Sequence, residues 1–213
     1  MRKVSETEKY SNSVISLVTV KFESPEGLTF EREVVKHIGA VCVVPLLEDN
    51  RHVLVMSQFR AAMGRELIEI VAGKRDVSGE AKEKTALREL EEEIGIRCGE
   101  LLDMGEFENS PGFTDEHSYC FLAKGLSLGV KSPQSIEEKE SSIFSVDLYD
   151  LPRLISERVV TDGKTIIGLS RARDYLFADP NGRDSLFPII LTNGKNSGDS
   201  PEFKSWFKSI DNL

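Results

Sequence analysis

Long apolar runs and cysteines are both scarce in this sequence of 213 residues. No apolar stretch approaches the roughly 18 residues of a membrane-spanning helix. The polar start MRKVSETEKYSNS lacks the apolar core of a signal peptide. The three cysteines Cys42, Cys98 and Cys120 are widely spaced in apolar surroundings, which is typical of buried thiols and not of disulfides or zinc sites. We therefore expect a cytoplasmic protein without a membrane segment.

Positive charge is also in deficit. The sequence has 27 Lys and Arg residues against 36 Asp and Glu residues, which gives a formal net charge of -9. A negatively charged protein repels phosphate backbones and anionic lipid surfaces. Nucleic acid and membranes are therefore not expected partners, and an anionic small molecule would need a local cation at its binding site.

The hydrophobic content of 39% is enough for one substantial core, so one globular unit with appendages is expected and not two independent domains. We predict three regions along the chain. They are an N-terminal β-sheet region over residues 1–35, a main domain over residues 36–177, and a C-terminal extension over residues 178–213.

The first part of the sequence has the alternation of β-strands. Apolar residues alternate with polar ones over residues 18–22 and 28–30, on either side of the turn ESPEG, which indicates a hairpin and hence a small N-terminal sheet. Three further strands are predicted in the runs IGAVCVVPLL, HVLVMSQF and RELIEIVAG.

The period then changes to that of a helix over residues 80–94, with Gly95 where a left-handed C-cap belongs. Strands are predicted next in LLDMGEFE, SYCFLAKGL and SIFSVDL, with loops in NSPGFTDE and KSPQSIEEKESS. Two helices follow, LYDLPRLISE with Asp147 as its cap and KTIIGLSRARDYLF after Thr161 and Asp162. A last short helix is predicted to begin at Ser200 and Pro201.

Three carboxylates share one face of the predicted helix over residues 80–94. At about 100° per residue, Glu89, Glu92 and Glu93 fall in one sector. Like charges at these spacings cost roughly 0.2–0.5 kcal/mol per pair, and acids near the C-terminal end also oppose the helix dipole. Two explanations are open at this point: a solvated surface, or a divalent cation held by oxygen ligands.

The residues around this cluster resemble the Nudix box. The matching residues are Gly73, Glu80, Arg88, Glu89, Leu90, Glu92, Glu93, Gly95 and Ile96. One departure is visible, because the six residues KRDVSG separate Gly73 from Glu80 where the family has five. The extra residue lies in the loop before the helix, where an insertion costs little free energy. The sequence is therefore similar to that of a Nudix hydrolase.

This resemblance implies a fold and a chemistry. The fold would be of the α/β (α+β) class, the Nudix α/β/α sandwich with a mixed sheet, plus a small N-terminal antiparallel sheet. The chemistry would be hydrolysis of a diphosphate with Mg²⁺ or Mn²⁺. Glu89, Glu92 and Glu93 would be metal ligands and catalytic residues, the carbonyl of Ala72 a further ligand, and Arg88 would orient the cluster.

Segments outside the box resemble the ADP-ribose pyrophosphatase branch of the family. They are QFRAAMGRELIEIVAGKRD, SPGFTDEHSYCFLAKGL and DGKTIIGL, and Pro111 stands where a proline marks this branch. The resemblance implies substrate contacts from Arg60, Arg65, Glu69, Gly112, Phe113 and Glu116. For Arg65 and Glu69, structural pairing is an equal alternative. An acid of the loop SIEEKESS, Glu138 before Glu140, would be the general base.

The resemblance thus predicts hydrolysis of ADP-ribose to AMP and ribose 5-phosphate by attack of water at phosphorus, in a homodimer. The expected partner of the protein is a small-molecule substrate, a nucleoside diphosphate sugar. Because specificity lies in loops and not in the fold, a pyrophosphatase for another nucleotide sugar such as GDP-mannose is one alternative. A non-catalytic Nudix module that senses ADP-ribose is the other.

Overall fold

The structure, a computed structural model, describes residues 1–177 of the chain. The strands in this range are β1 (Arg2–Ser11), β2 (Ile15–Glu23), β3 (Thr29–His37), β4 (Ala40–Pro45), β5 (His52–Arg60), β6 (Arg65–Glu69), β7 (Val71–Lys74), β8 (Ile96–Glu108), β9 (His117–Leu128) and β10 (Ser142–Asp147). The helices are α1 (Lys82–Ile94), α2 (Ile136–Lys139), α3 (Leu151–Ser156) and α4 (Gly163–Phe177). The strands form three sheets, with the orders β1-β2-β3, β10-β5-β6 and β7-β4-β9-β8.

Strand β4 lies inside the four-stranded sheet, antiparallel to β7 and parallel to β9. All of its residues are buried, which explains the unbroken apolar run in the sequence. Its side chains alternate between two cores, since Cys42 packs in the cluster that contains Leu169 of α4, whereas Val43 packs with Leu90 of α1. The two helices therefore cover opposite faces of a mixed sheet, and the predicted α/β/α sandwich is confirmed.

The N-terminal sheet is antiparallel, and the predicted hairpin is its β2 and β3. Phe22 is paired with Phe30 across this hairpin, and the two rings stack 5.5 Å apart. Strand β1 was not predicted, because it is polar and exposed along its whole length. It pairs with β2 through backbone hydrogen bonds. Such pairing does not require alternating apolar side chains, so the sequence contains no signal for it.

The prediction of one strand in RELIEIVAG is wrong. The chain changes sheet at Ile70, so that β6 pairs with β5 and β7 pairs with β4. The N–H of Ile70 donates to Thr165 Oγ1 of α4 (3.0 Å). Asp162 Oδ2 in turn accepts hydrogen bonds from the backbone N and the Oγ1 of Thr165 (2.8 Å each). The segment DGKT thus caps α4 and supports the point where the chain changes sheet.

The helix predictions hold with shifted ends, and one loop prediction needs correction. Helix α1 ends at Gly95, whose φ of 69° and ψ of 30° are those of a left-handed cap. Asp147 caps a 3₁₀ turn that precedes α3, accepting from the N–H of Tyr149. The loop KSPQSIEEKESS contains the short helix α2, because Ser135 caps it. The helix predicted at Ser200 lies outside the described residues.

Within residues 1–177, two of the three predicted buried thiols are buried. Cys42 and Cys120 are buried, Cys98 is half-buried, and all three are free thiols. No helix of this part of the chain is long and apolar enough to cross a membrane.

Candidate active site

A glycine brings the acidic face of α1 against strand β7. A Cβ atom on Gly73 would lie 1.9 Å from Cδ of Glu89, a separation that no side chain tolerates. The absence of a side chain at this position therefore lets the Glu89 carboxylate lie directly on the β7 backbone. The Glu89 residue is 8% exposed as a result.

Glu93 lies one turn further along α1 and faces the same strand. It is 6% exposed, and its Oε2 accepts a hydrogen bond from the N–H of Ala72 (3.3 Å). Ala72 belongs to β7 together with Gly73. The structure therefore brings Glu89 and Glu93 together against β7, with the N–H of Ala72 bonded to Glu93.

Arg88 binds the acids of the helix and of the loop before it. Its Nη1 donates to Glu89 Oε1 (2.7 Å) and to Glu92 Oε2 (3.0 Å). Its Nη2 lies 3.4 Å from Glu80 Oε2 and 3.3 Å from Asp76 Oδ1. This geometry matches the predicted orienting role of Arg88, and it turns the Glu92 carboxylate toward Arg88.

The two buried carboxylates hold their protons unusually tightly. Burial raises the pKa of Glu89 to about 7, with Arg88 opposing the shift and Glu92 adding to it. Burial also raises the pKa of Glu93 to about 8, and the charge of Glu89 adds to that shift, while the N–H of Ala72 opposes it. Negative charge at this site is therefore only partly offset by the protein's own groups.

The ligand set suits a hard divalent cation in chemistry, but it is not preassembled. Among residues 1–177, no three His, Cys, Asp or Glu side chains converge into a ready-made cation site. Arg88 engages an oxygen of Glu89 and an oxygen of Glu92. Carboxylate and carbonyl oxygens are the ligands that Mg²⁺ and Mn²⁺ prefer, and the buried negative charge is the environment that a dication offsets.

Arg60 and Glu69 form a bidentate ion pair beside this cluster. Arg60 Nε donates to Glu69 Oε1 (2.7 Å) and Nη2 donates to Oε2 (2.6 Å). Glu69 is 1% exposed, whereas the Arg60 side chain is 39% exposed. The pKa of Arg60 is raised, first by Glu69 and also by the charge of Glu93. Glu69 therefore fixes Arg60 near the carboxylates, and Nη1 of Arg60 lies outside the pair.

Arg65 has structural partners. It is exposed, its Nη2 donates to Thr161 Oγ1 (3.2 Å), and its Nη1 donates to the carbonyl of Glu66 (3.2 Å). For Arg65 and Glu69, the contacts are those of the structural pairing that the sequence left as an alternative.

The loop with Gly112, Phe113 and Glu116 is attached to strand β3. The N–H of Val35 donates to the carbonyl of Phe113 (2.8 Å), and the N–H of Asp115 donates to the carbonyl of Val35 (3.2 Å). The Phe113 side chain is 56% exposed, Gly112 is exposed and Glu116 is half-buried. The described contacts therefore join Phe113 to the N-terminal sheet, whereas the backbone of Glu116 bonds to Asn109 and Thr114.

Of the two acids proposed as base, Glu138 lies closer to the carboxylate cluster. It is half-buried, and its negative charge contributes to the raised pKa of Glu93. Its carboxylate accepts hydrogen bonds from Ser135 Oγ (3.0 Å) and from the N–H of Gln134 (2.6 Å), an arrangement close to a capping box. Glu140 is exposed and follows the last turn of α2.

Two supporting residues were missed from the sequence. Thr85 lies among the buried residues of α1, and its Oγ1 donates to Glu80 Oε2 (2.8 Å) and thereby fixes an acid that binds Arg88. Asp76 is the other, an exposed partner of Arg88. The helical spacing of Thr85 gave no sign of this bond, and Asp76 lies in the loop that departs from the family pattern.

The chain is similar to known proteins over most of its length. The NUDIX domain family matches residues 36–164. An ADP-ribose pyrophosphatase of Bacillus subtilis is 38% identical over 162 residues, which cover 76% of this chain and 86% of that protein. An ADP-ribose pyrophosphatase of Mycobacterium tuberculosis is 36% identical over 184 residues, or 85% of this chain and 88% of that protein.

One further relative and one solved structure are also similar to this chain. The methanol dehydrogenase activator of Bacillus methanolicus is 36% identical over 168 residues, which cover 78% of this chain and 90% of that protein. The crystal structure of an ADP compounds hydrolase has the same fold, with a TM-score of 0.72 at 17% identity over 82% of this chain and 93% of that one. The chain therefore belongs to the Nudix hydrolase family, in the branch that its ADP-ribose pyrophosphatase relatives represent.

Proposed function

We propose that the protein hydrolyses ADP-ribose to AMP and ribose 5-phosphate, by attack of water at phosphorus, in the presence of Mg²⁺ or Mn²⁺. The observation that carries the proposal is the burial of Glu89 and Glu93 side by side against β7, with pKa values of about 7 and about 8. Two relatives that match this chain over more than four fifths of their length are named ADP-ribose pyrophosphatases, and this supports the substrate.

Glu89, Glu92 and Glu93, with the carbonyl of Ala72, would hold the divalent cation. When bound, the cation supplies positive charge that neutralises the diphosphate and activates water. The oxygens of Glu89 and Glu92 that accept from Arg88 would have to be released from it to serve as ligands. Arg88 would keep Glu80 and Asp76 as partners, so its charge would stay compensated.

The chain's own residues position the substrate and take up the proton. Arg60 binds a phosphate oxygen through Nη1, while Glu69 holds the other edge of its guanidinium. Glu138 accepts a proton from the attacking water. The water oxygen forms the new bond to phosphorus, the anhydride P–O bond breaks, and the leaving oxygen departs as part of a phosphate monoester.

The ribose and nucleoside parts of the substrate are assigned to the surrounding loops. Gly112, Phe113 and Glu116 form the terminal-ribose end of the cleft, and Arg65 lies at its rim. We propose that the chain acts as a cytoplasmic homodimer through its N-terminal sheet. The open edge of β1, which is exposed along its length, supports the dimer, because exposed edge strands pair readily with another chain.

The test is release of AMP by purified protein from ADP-ribose, ADP-glucose and GDP-mannose, with Mg²⁺ or Mn²⁺ present. A preference for ADP-ribose supports the proposal, whereas preferred turnover of GDP-mannose replaces its substrate. Binding of ADP-ribose without any release of AMP replaces hydrolysis with sensing. The intact set of box carboxylates favours hydrolysis over sensing.

A second candidate function is stimulation of a methanol dehydrogenase, which the relative from Bacillus methanolicus favours. It is tested by adding the protein to a bacterial methanol dehydrogenase and measuring the rate of alcohol oxidation. Stimulation that disappears in E93Q links this effect to the carboxylate site. No stimulation at any protein concentration removes this candidate.

A further inference from the structure

The segment between β9 and α2 is attached to the C-terminal end of α1. Three backbone N–H groups of the segment make the attachment. Gly129 donates to the carbonyl of Gly95 (2.8 Å), Val130 to Glu91 Oε1 (3.2 Å), and Ser132 to the carbonyl of Glu92 (2.9 Å). The chain that leads to Glu138 is therefore bound to the same helix that carries Glu89 and Glu93.

Glu91 is the side chain at the centre of this attachment. Its Oε1 accepts from Arg97 Nε (2.8 Å) as well as from the N–H of Val130. A Cβ atom on Gly129 would lie 2.9 Å from that oxygen, so a side chain at position 129 would shift the end of the Glu91 side chain.

A second set of bonds carries this attachment onward to Glu138. Lys131 Nζ donates to Ser141 Oγ (3.2 Å), and Ser141 Oγ donates to the carbonyl of Glu138 (2.7 Å). Gln134 and Ser135 hold the Glu138 carboxylate from the other side. The loop is thus closed on itself at Lys131 and Ser141, and Lys131 lies between Val130 and Ser132, two residues that α1 holds.

We propose that Glu91 is a positioning residue for hydrolysis: by holding Val130, it sets the place of the Glu138 carboxylate relative to Glu89 and Glu93. This inference rests on the proposed function, because it takes Glu138 as the base. Glu91 acts through the backbone of the segment and needs no contact with substrate or metal. Its position in the box is one that the family pattern leaves open.

Three variants separate this role from simple stabilisation. E91A removes the acceptor for Val130 and the partner of Arg97. E91Q keeps an acceptor oxygen, and R97Q removes the ion pair but leaves Glu91 bonded to Val130. Because a displacement of about 1 Å costs up to roughly a hundredfold in rate, we expect E91A to lower kcat by about ten- to a hundredfold. KM should stay within about twofold, because uniform binding is unchanged.

E91Q and R97Q should retain a kcat close to that of the wild type, and a kcat in R97Q as low as in E91A would overturn the inference. Hydrogen exchange of the amides in residues 129–140 gives a readout that needs no activity. E91A should speed this exchange, and R97Q should not. An unchanged exchange rate in E91A would also overturn the inference.

A double-mutant cycle tests whether Glu91 acts through Glu138. E138Q should lower kcat by about 10²- to 10⁴-fold, the usual contribution of a general base. Adding E91A to E138Q should then cause little further loss, whereas multiplied effects would show an independent role and overturn the inference. A wild-type protein that hydrolyses no nucleotide sugar would overturn the proposed function as well. Normal wild-type turnover with an unchanged kcat in E91A would overturn this inference alone.

Discussion

The Glu89 side chain lies where a side chain on Gly73 would have to be, since a Cβ atom there would come within 1.9 Å of Glu89 Cδ. Glycine at position 73 is thus a requirement of close packing between β7 and α1. That packing buries the Glu89 carboxylate and, with Glu93, concentrates negative charge at one place. The predictions below follow from this arrangement.

We predict that G73A lowers both stability and hydrolysis. The added methyl group must displace Glu89 or the β7 backbone, and overpacking of this kind costs about 1–3 kcal/mol. Urea unfolding and kcat for ADP-ribose measure the two effects. G163A is the matched control, because a Cβ atom on Gly163 meets no atom within 4 Å. Wild-type kcat and stability in G73A would show that Glu89 has room to move.

E93Q should separate activity from stability. Above about pH 8 the substitution removes a buried charge that lacks a full protein counterion, so the metal-free protein should be at least as stable as the wild type at that pH. The kcat should fall by about two to three orders of magnitude, because a metal contributes several kcal/mol to the transition state. Calorimetric unfolding in EDTA and an AMP-release assay measure the two quantities. A large loss of stability in EDTA would mean that the carboxylate has a structural role.

The stability of the metal-free protein should fall as pH rises from about 4.5 to about 8. Glu93 has a pKa of about 8 in the folded chain against 4.5 as its ordinary value. The folded state therefore binds this proton more tightly, so its stabilising effect is full below pH 4.5 and is lost as pH rises through 8. Glu89, with a pKa of about 7, acts in the same direction.

Thermal unfolding in EDTA and in Mg²⁺, at about pH 6 and about pH 8.5, measures this dependence. Mg²⁺ replaces protons on the carboxylates, so it should raise Tm more at the higher pH. The pH dependence in EDTA should flatten in E93Q. A Mg²⁺ effect that is equal at both pH values would argue against binding at Glu89 and Glu93.

Loss of Arg60 alone should cost more stability than loss of both members of the Arg60–Glu69 pair. R60M leaves Glu69 buried without its counterion, and breaking a buried pair costs about 3 kcal/mol here, the low end of the range because Arg60 is partly exposed. The double variant R60M/E69L should recover much of that stability. Its KM for ADP-ribose should still be raised by about ten- to a hundredfold if Arg60 binds phosphate. A normal KM in the double variant would limit Arg60 to a structural role.

The acidic helix was predictable from the sequence because its signals are local. Helical spacing placed Glu89, Glu92 and Glu93 on one face, and Gly95 marked the end of α1. The mixed sheet between helices was predicted through the resemblance to the Nudix family. The buried strand β4 agrees with it, since a continuous apolar run needs cover on both faces.

The change of sheet between β6 and β7 was not predictable, because an extended chain has the same apolar pattern in either sheet. Residue Ile70 separates two strands that read as one, and the bond that marks the change comes from Thr165, far along the chain. The partners of Arg88 were not predictable either. The box pattern fixes which acids are present, but it does not show which of them accept hydrogen bonds from Arg88.

Hydrolysis should require a divalent cation held by the buried carboxylates of α1. AMP formation from ADP-ribose by EDTA-treated protein, as Mg²⁺ is added back to the wild type and to E93Q, measures this requirement. We expect no AMP without metal, a saturable return of activity in the wild type, and little return in E93Q. Full activity in EDTA, or equal restoration in both proteins, would contradict it.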